Sequence, residues 1–445
     1  MHLFQINKRL IPIKIHFFLS QAGLTPLLVF LSTIMIQRGY SPFIVGLTFT
    51  LMPLPGLLIR PIVGGITDKY KCRKLVFFLI MVIMSLISFV LIFIPGTVSK
   101  TQMDDDYVME SPLFWLFFCI VTLFHSSSIA KVLLEDTICM DFLGEDKHKY
   151  GQQRGWGSLG RGSIAVVAGV SVDWFSRGQE YKNYTPVFVI SLICNLLNIY
   201  VATKIEIVEN IERRVIVSNV KKLFSKLRVL AFFLWVVLFG MLCPIVWYYL
   251  YVYTEELANL YHPETKPYIK TIQGLALSIE CFLGDFPFFF LSSYVIKLIG
   301  HMNSFSLMFF GFAVRFFLYS IITNPVWVLP VEILNGVTFA LAYSAATSYA
   351  ALIAPAGAEG TLQGLLGTAM IGLGVPMGSF LGGYVFDRYG SIDSFKILSG
   401  VALVICVIQF TVTQLINRFS KNENVTEERG ENTVNAATSD RNDIL

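Results

Sequence analysis

Charged side chains set within apolar runs are the residues of this sequence best placed to do chemistry. Lys131, Glu135 and Asp136 share one run, Arg154 and Arg161 open the next, Glu280 and Asp285 share another, and Arg315 and Glu332 stand in two consecutive ones. An ionisable group inside a bilayer costs about 2.5–3.5 kcal/mol on insertion scales, so it faces protein or water and often marks the route of an ion or solute. The chemistry on offer is proton uptake and release and recognition of a polar solute. If the turn between the last two runs centres on Asn324 and Pro325, Arg315 lies nine residues before it and Glu332 eight after. Both then sit roughly 12–14 Å deep on antiparallel helices, opposite charges at one level. The functional reading is that Glu332 titrates, its affinity for a proton depending on whether Arg315 pairs with it or with solute. The alternative is a permanent structural ion pair.

Similar counting puts Asp136 and Arg161 at one depth from the opposite side, where they are expected to pair, whether as a packing salt bridge or as a solute contact. Lys131 and Glu135 are i, i+4 neighbours on one helix face. Glu280 and Asp285, five apart, are expected on different faces, one lining a cavity and the other buried structurally.

Helices must hold these groups. Of the 445 residues 55% are hydrophobic and 14% charged, too few charges to clothe a water-soluble surface. Apolar runs at 10–36, 42–66, 75–95, 112–139, 156–176 and 184–203 are followed by six more at 229–253, 269–296, 303–322, 326–353, 362–386 and 394–417. Each is long enough to span. The expected fold is an all-α polytopic membrane protein of twelve transmembrane helices in two six-helix halves. The halves are residues 1–203 and 229–418, joined by a basic cytoplasmic linker at 204–228 and followed by a disordered cytoplasmic tail at 419–445. The side bearing the N-terminus, linker and tail carries 22 of the 34 Lys and Arg residues against 8 on the other, which places both termini in the cytoplasm. Gly160, Gly169 and Asp173 recur 214 residues later as Gly374, Gly383 and Asp387, consistent with parallel repeats and a solute site between them.

Other residue types are read more plainly. Trp247, Tyr248, Tyr249, Tyr251 and Tyr253 form an interfacial aromatic belt by default, with stacking on a sugar or base as the sharper alternative. His16 and His125 read as satisfied core residues rather than proton relays. Gly374, Gly378 and Gly382 give one helix a small face for close packing. Six of the seven cysteines lie in apolar runs, which implies neither a disulfide framework nor a zinc site. No phosphate-cradling glycine loop with a following lysine is present, so neither an ATP-driven pump nor any enzyme is expected. Net charge is +4, with no basic field suited to nucleic acid. Asn183-Tyr184-Thr185 is a glycosylation sequon in an expected extracellular loop, followed by Pro186.

Gly64, Asp68, Lys69, Arg73 and Lys74, after the second run, resemble the loop 2–3 signature of the major facilitator superfamily, with Lys71 where that signature has its second glycine. Further matches are Tyr150-Gly151, Arg154, Trp156-Gly157-Ser158, Asp285 through Phe290, Gly300-His301, Arg315, Glu332, Ala345 through Ala350 and Gln363. They resemble the branch of proton-coupled nucleoside and oligosaccharide permeases, and within it the family of major facilitator superfamily domain-containing protein 6. Two positions depart from that pattern: Asp285 replaces a glutamate and Arg161 an aromatic residue. The resemblance implies alternating access, a proton-coupling role for Arg315 and Glu332, and cytoplasmic gating by Gly64, Asp68, Arg73 and Arg154.

The expected function is therefore secondary active transport of a small polar solute, sugar- or nucleoside-like, by proton symport. A cell-surface receptor or scaffold retaining the fold, and an uncoupled facilitator, are the alternatives. Retained intramembrane charge favours transport. Lys131, Glu135, Asp136, Arg161, Glu280, Asp285, Arg315 and Glu332 are the candidate cavity and coupling residues. No cofactor beyond a coupling ion, expected to be H+, and no partner beyond the lipid bilayer and the solute is implied. The plasma membrane is expected ahead of endosomal or lysosomal membranes.

Overall fold

The computed structural model describes residues 10–94, 101–143, 150–205, 227–354 and 359–442, and every regular element among them is helical. The first half contains α1 (Ile11–Gln37), α2 (Pro42–Leu51 continued by Leu54–Tyr70), α3 (Arg73–Phe93), α4 (Pro112–Leu143), α5 (Tyr150–Phe175) and α6 (Thr185–Ala202). The second contains α7 (Leu227–Leu260), α8 (Pro263–Ile299), α9 (His301–Ile321) and α10 (Pro325–Ile353). α11 begins at Glu359 and continues through Val375 to Gly390, where φ of 72° breaks the path; α12 follows to Asn442. Ten helical stretches are long and apolar enough to cross a membrane, the double one Leu362–Ile416 among them. Dividing that stretch at Gly390 and adding α5, whose glycines and arginines dilute its hydropathy, gives twelve passes among the described residues. The chain is an all-α, multi-pass integral membrane protein. Its outward faces carry apolar side chains such as Leu58, Phe93, Phe290 and Leu298, each at least 68% exposed, as contact with lipid requires.

One boundary differs from expectation. The backbone stays helical beyond residue 418 to Asn442, where disorder is expected; lysine, glutamate and alanine in that segment favour helix. The linker from 206 to 226 lies outside the described residues.

Buried apolar side chains form two main clusters, one drawn almost wholly from residues 13–205 and one from residues 232–402. Between them the halves touch where glycines allow backbones to meet. A Cβ at Gly169 on α5 would lie 2.2 Å from the Lys270 carbonyl oxygen on α8, and one at Gly274 would lie 2.4 Å from that of Ala165. A Cβ at Gly383 on α11 would lie 2.9 Å from the Gly46 Cα on α2. Within each half, Gly160 packs α5 on the Phe18 carbonyl of α1, and Gly374 packs α11 on the Val237 carbonyl of α7. The repeated glycines therefore make equivalent contacts in the two halves: α5 to α1 and α8, α11 to α7 and α2. These inter-half contacts lie toward the face opposite the linker, called the far face below; the linker side is the terminal face.

Four of the second-half helices contain a π-helical turn, at Ile245–Tyr249, Glu280–Asp285, Gly336–Leu341 and Thr368–Gly374. Pro244, Pro287 and Pro376 stand beside three of them and withdraw a backbone N–H from the ladder. Such widened turns recur at functional sites because they re-aim side chains.

Candidate functional site: a buried charge network beside a central cavity

α9 and α10 bring Arg315 and Glu332 together as their equal depth implies, Nη2 to Oε2 at 2.5 Å, both fully buried. The other two nitrogens of Arg315 are also engaged. Nη1 donates to Asn335 Oδ1 at 2.8 Å and to Thr338 Oγ1 at 2.9 Å, while Nε donates to the Tyr319 hydroxyl at 2.9 Å. Tyr319 in turn donates to the other Glu332 oxygen. Asn335 carries the network on to α8, its Nδ2 donating to Asp285 Oδ1 at 2.8 Å. Four hydrogen bonds for its five N–H groups keep a buried guanidinium tolerable in a low-dielectric interior.

The geometry of α8 differs from the expectation that Glu280 and Asp285 separate onto different faces. The π-helical turn spanning them breaks the 3.6-residue period on which that expectation rests. Both are buried and both turn inward, Asp285 to Asn335 and Glu280 to Arg161 Nη2 at 2.8 Å. Arg161 therefore does not pair with Asp136, as equal depth suggests. Asp136 instead meets Arg154 Nη1 at 2.9 Å, a partner one helical turn from the start of α5 that depth counting overlooks.

Lys131 and Glu135 do share a face of α4, and both reach Ser20 on α1. Lys131 Nζ donates to the Ser20 carbonyl at 3.2 Å and the Ser20 hydroxyl donates to Glu135 at 2.7 Å. His16 Nε2 stands 3.2 Å from the same carboxylate, so His16 is a buried residue with a polar partner. His125 lies beside the Met52 backbone, next to the break in α2 at Pro53.

A cavity of about 500 Å³ lies between the halves. Gln21, Arg60, Glu135, Asp136, Arg154 and Arg161 line it from the first half, and Trp247, Asp285, Phe289, Phe339, Tyr343 and Gln363 from the second. Arg154 and Gln363 lie one turn from the starts of α5 and α11, so the cavity reaches the terminal face. A second chamber of about 300 Å³, lined by Leu24, Leu28, Tyr248, Tyr251 and Leu277, shares Gln21, Arg161, Trp247 and Phe339 with it. The glycine contacts close the far side, helped by Asp173, which accepts from the Thr271 backbone and hydroxyl, each at 2.7 Å. Trp247, Tyr248 and Tyr251 thus line these chambers, while Tyr249 and Tyr253 are fully buried. They do not form a lipid-facing belt, because Tyr249, Tyr251 and Tyr253 are at most 4% exposed and pack inside the protein.

The turn between α2 and α3 holds Lys71 at φ 51°, ψ 40°, the left-handed geometry that a glycine would adopt freely. The turn shape is kept despite the substitution. Arg73 Nη1 reaches Asp141 at the end of α4 at 2.6 Å. Gly64 has open space at its Cβ position, and the Asp68 side chain lies outside the described residues. Asn183 Oδ1 accepts from the Thr185 backbone at 3.0 Å at the start of α6, so the sequon asparagine is tied into the far-face turn. Groups missed by sequence reasoning include Tyr319, Asn335 and Ser20. Tyr319 was findable, lying i+4 from Arg315 on the same face.

The chain resembles solved transporters over nearly its full length. An alanine mutant of the nucleoside transporter NupG superposes with a TM-score of 0.74 at 15% identity, covering 91% of this chain and 99% of that one. A bacterial homologue of the human drug peptide transporters PepT1 and PepT2 gives 0.64 at 13% identity, covering 92% and 99%. A structure from the proton dependent oligopeptide transporters gives 0.66 at 13%, again covering 92% and 99%. At these identities the likeness is one of fold. Residues 10–397 match the model of the MFS_1 like family, and the chain belongs to that family of transporters within the major facilitator superfamily.

Proposed function

We propose that this protein is a proton-coupled secondary transporter that moves a small polar solute by alternating access. The observation that carries the reading is a charge count. Glu280, Asp285 and Glu332 are three buried carboxylates whose charges act on one another, and two guanidiniums stand among them, Arg161 paired with Glu280 and Arg315 with Glu332. Fully ionised, the group holds one negative charge in excess at the centre of a membrane protein. Uncompensated buried charge is costly, so a bound proton stabilises the group by neutralising that excess.

Of the three, Asp285 is the one that lines the cavity, where a proton arriving from the terminal face can reach it. Asn335 touches both Asp285 and Arg315, so neutralising one carboxylate changes the hydrogen bonding of the Arg315–Glu332 pair. Because Arg161 on α5 holds Glu280 on α8, the cluster of charges spans the two halves. Proton and solute then bias one equilibrium between two arrangements of the halves, and their coupling is reciprocal. In the arrangement seen the far face is shut and the cavity reaches the terminal face, which the excess of basic residues there assigns to the cytoplasm. Asn183 would then be extracellular and available for glycosylation.

The test is uptake of a mixed solute library into proteoliposomes with and without an inward proton gradient. Accumulation that requires the gradient supports symport. Accumulation indifferent to it contradicts proton coupling, and a chain that moves no solute is a receptor or scaffold.

A further inference from the structure

The charge that the proton leaves over identifies a class of solute. Among the ionisable residues lining the cavity, Arg154 holds Asp136 at 2.9 Å and Arg161 holds Glu280 at 2.8 Å. Arg60 on α2 is the exception. It is exposed, it lines the cavity, and no carboxylate or other acceptor among the described residues stands within bonding distance. Its guanidinium reaches across to the other half, Nη1 lying 3.8 Å from where a Cβ on Gly367 of α11 would be. A cation with no partner among the described residues, on a short path from the terminal face and set against both halves, is suited to receive an anion, because a guanidinium presents a planar fork of donors matched to carboxylate and phosphate oxygens.

The rest of the cavity describes the body that carries the anion. Trp247 and Phe339 meet edge to face at 5.7 Å, and both also line the deeper, largely apolar chamber. Two joined spaces of about 500 and 300 Å³ match the size of a drug-like organic molecule. We propose that the transported solute is an organic anion whose carboxylate or phosphate group is held by Arg60 and whose apolar or aromatic body packs on Trp247 and Phe339. This rests on the transporter reading and adds a reason for coupling to protons. One proton offsets the surplus carboxylate, one solute anion offsets Arg60, and a proton moved with a monoanion carries no net charge across the membrane.

The test is binding, so that its failure is separate from failure of transport. The purified full chain in phosphatidylcholine nanodiscs is titrated with phenylacetate, phenyl phosphate, phenylacetamide and phenethylamine, following thermal stability and tryptophan fluorescence. The expected result is stabilisation by the two anions and by neither of the others, weakened about tenfold or more in Arg60→Gln and partly retained in Arg60→Lys. Equal binding of the amide, undiminished anion binding in Arg60→Gln, or stabilisation by no member of the series would overturn the proposal. Discs containing phosphatidylglycerol separate a lipid headgroup from a free solute: stabilisation by that lipid, with no response to the soluble anions in either disc, also overturns it. If Arg60→Gln is itself unstable without ligand, Arg60→Lys and the salt dependence of phenylacetate binding to the native chain replace it. Anion binding with no uptake of any solute would leave this inference standing and remove the transporter reading; gradient-driven uptake of neutral solutes alone would do the reverse.

Discussion

Arg161 on α5 donates to Glu280 on α8 at 2.8 Å, an ion pair that joins the two halves beside the cavity. Glu280 is almost wholly buried while Arg161 is about a third exposed to the cavity, so the pair joins an inaccessible carboxylate to a cation that solute and water can reach. Removing the arginine strands a buried charge. Arg161→Gln is expected to cost about 2 kcal/mol, less than a fully buried pair because cavity water screens it. The combined Arg161→Gln and Glu280→Gln change is expected to recover most of that loss. A double-mutant cycle on thermal stability measures it, and additive losses would contradict the pairing.

The glycines that shut the far face give a conformational prediction. A side chain at Gly169 collides with the Lys270 backbone, which cannot move aside without separating α5 from α8. Gly169→Leu is expected to hold the far side open, to abolish net uptake and to expose Cys281, which is buried beside Gly162 in the native arrangement. Maleimide labelling of Cys281, with Cys72 and Cys119 replaced by serine, reads this out. An unreactive Cys281 together with normal uptake would rule the gate out.

Orientation can be checked through Cys72, half-buried in the turn between α2 and α3. A membrane-impermeant maleimide is expected to label it only after permeabilisation, in a variant whose other cysteines are replaced. Labelling in intact cells would invert the topology.

The same turn carries a stability prediction. Lys71 adopts a left-handed conformation that disfavours a side chain by about 1 kcal/mol. Lys71→Gly should leave thermal stability unchanged or raise it by up to about 1 kcal/mol, the relief being partly offset by greater freedom of the unfolded chain. A marked loss of stability would show that the lysine side chain makes a contact worth more than the strain.

What could be read from the sequence was what depends on hydropathy and on depth in the bilayer. The membrane passes follow from run lengths, and the Arg315–Glu332 pair follows from equal depth on neighbouring antiparallel helices. Depth failed for Asp136 and Arg161 because it fixes level but not azimuth, and each side chain found a partner nearer its own face. Helical periodicity failed at Glu280 and Asp285 because a π-helical turn lies between them, a feature for which Pro287 was the sole local sign. The default for the aromatic run after Pro244 failed because burial of Tyr249, Tyr251 and Tyr253 against other helices depends on tertiary packing, which the run itself does not encode. Arg60 was visible as a charge within a span, but its lack of a partner is a property of three-dimensional packing and could not be seen in one dimension.

The central claim, that a buried network with one surplus carboxylate couples a proton to solute movement, is tested most directly at Glu332. Glutamine keeps the shape and most hydrogen bonds of the side chain while removing its charge and its ability to bind and release a proton. With any solute that the library assay identifies, two measurements are made on Glu332→Gln proteoliposomes: exchange of solute across the membrane at equal pH, and accumulation driven by an inward proton gradient. The account predicts that exchange persists while gradient-driven accumulation is lost. Accumulation by Glu332→Gln at the native level would contradict it.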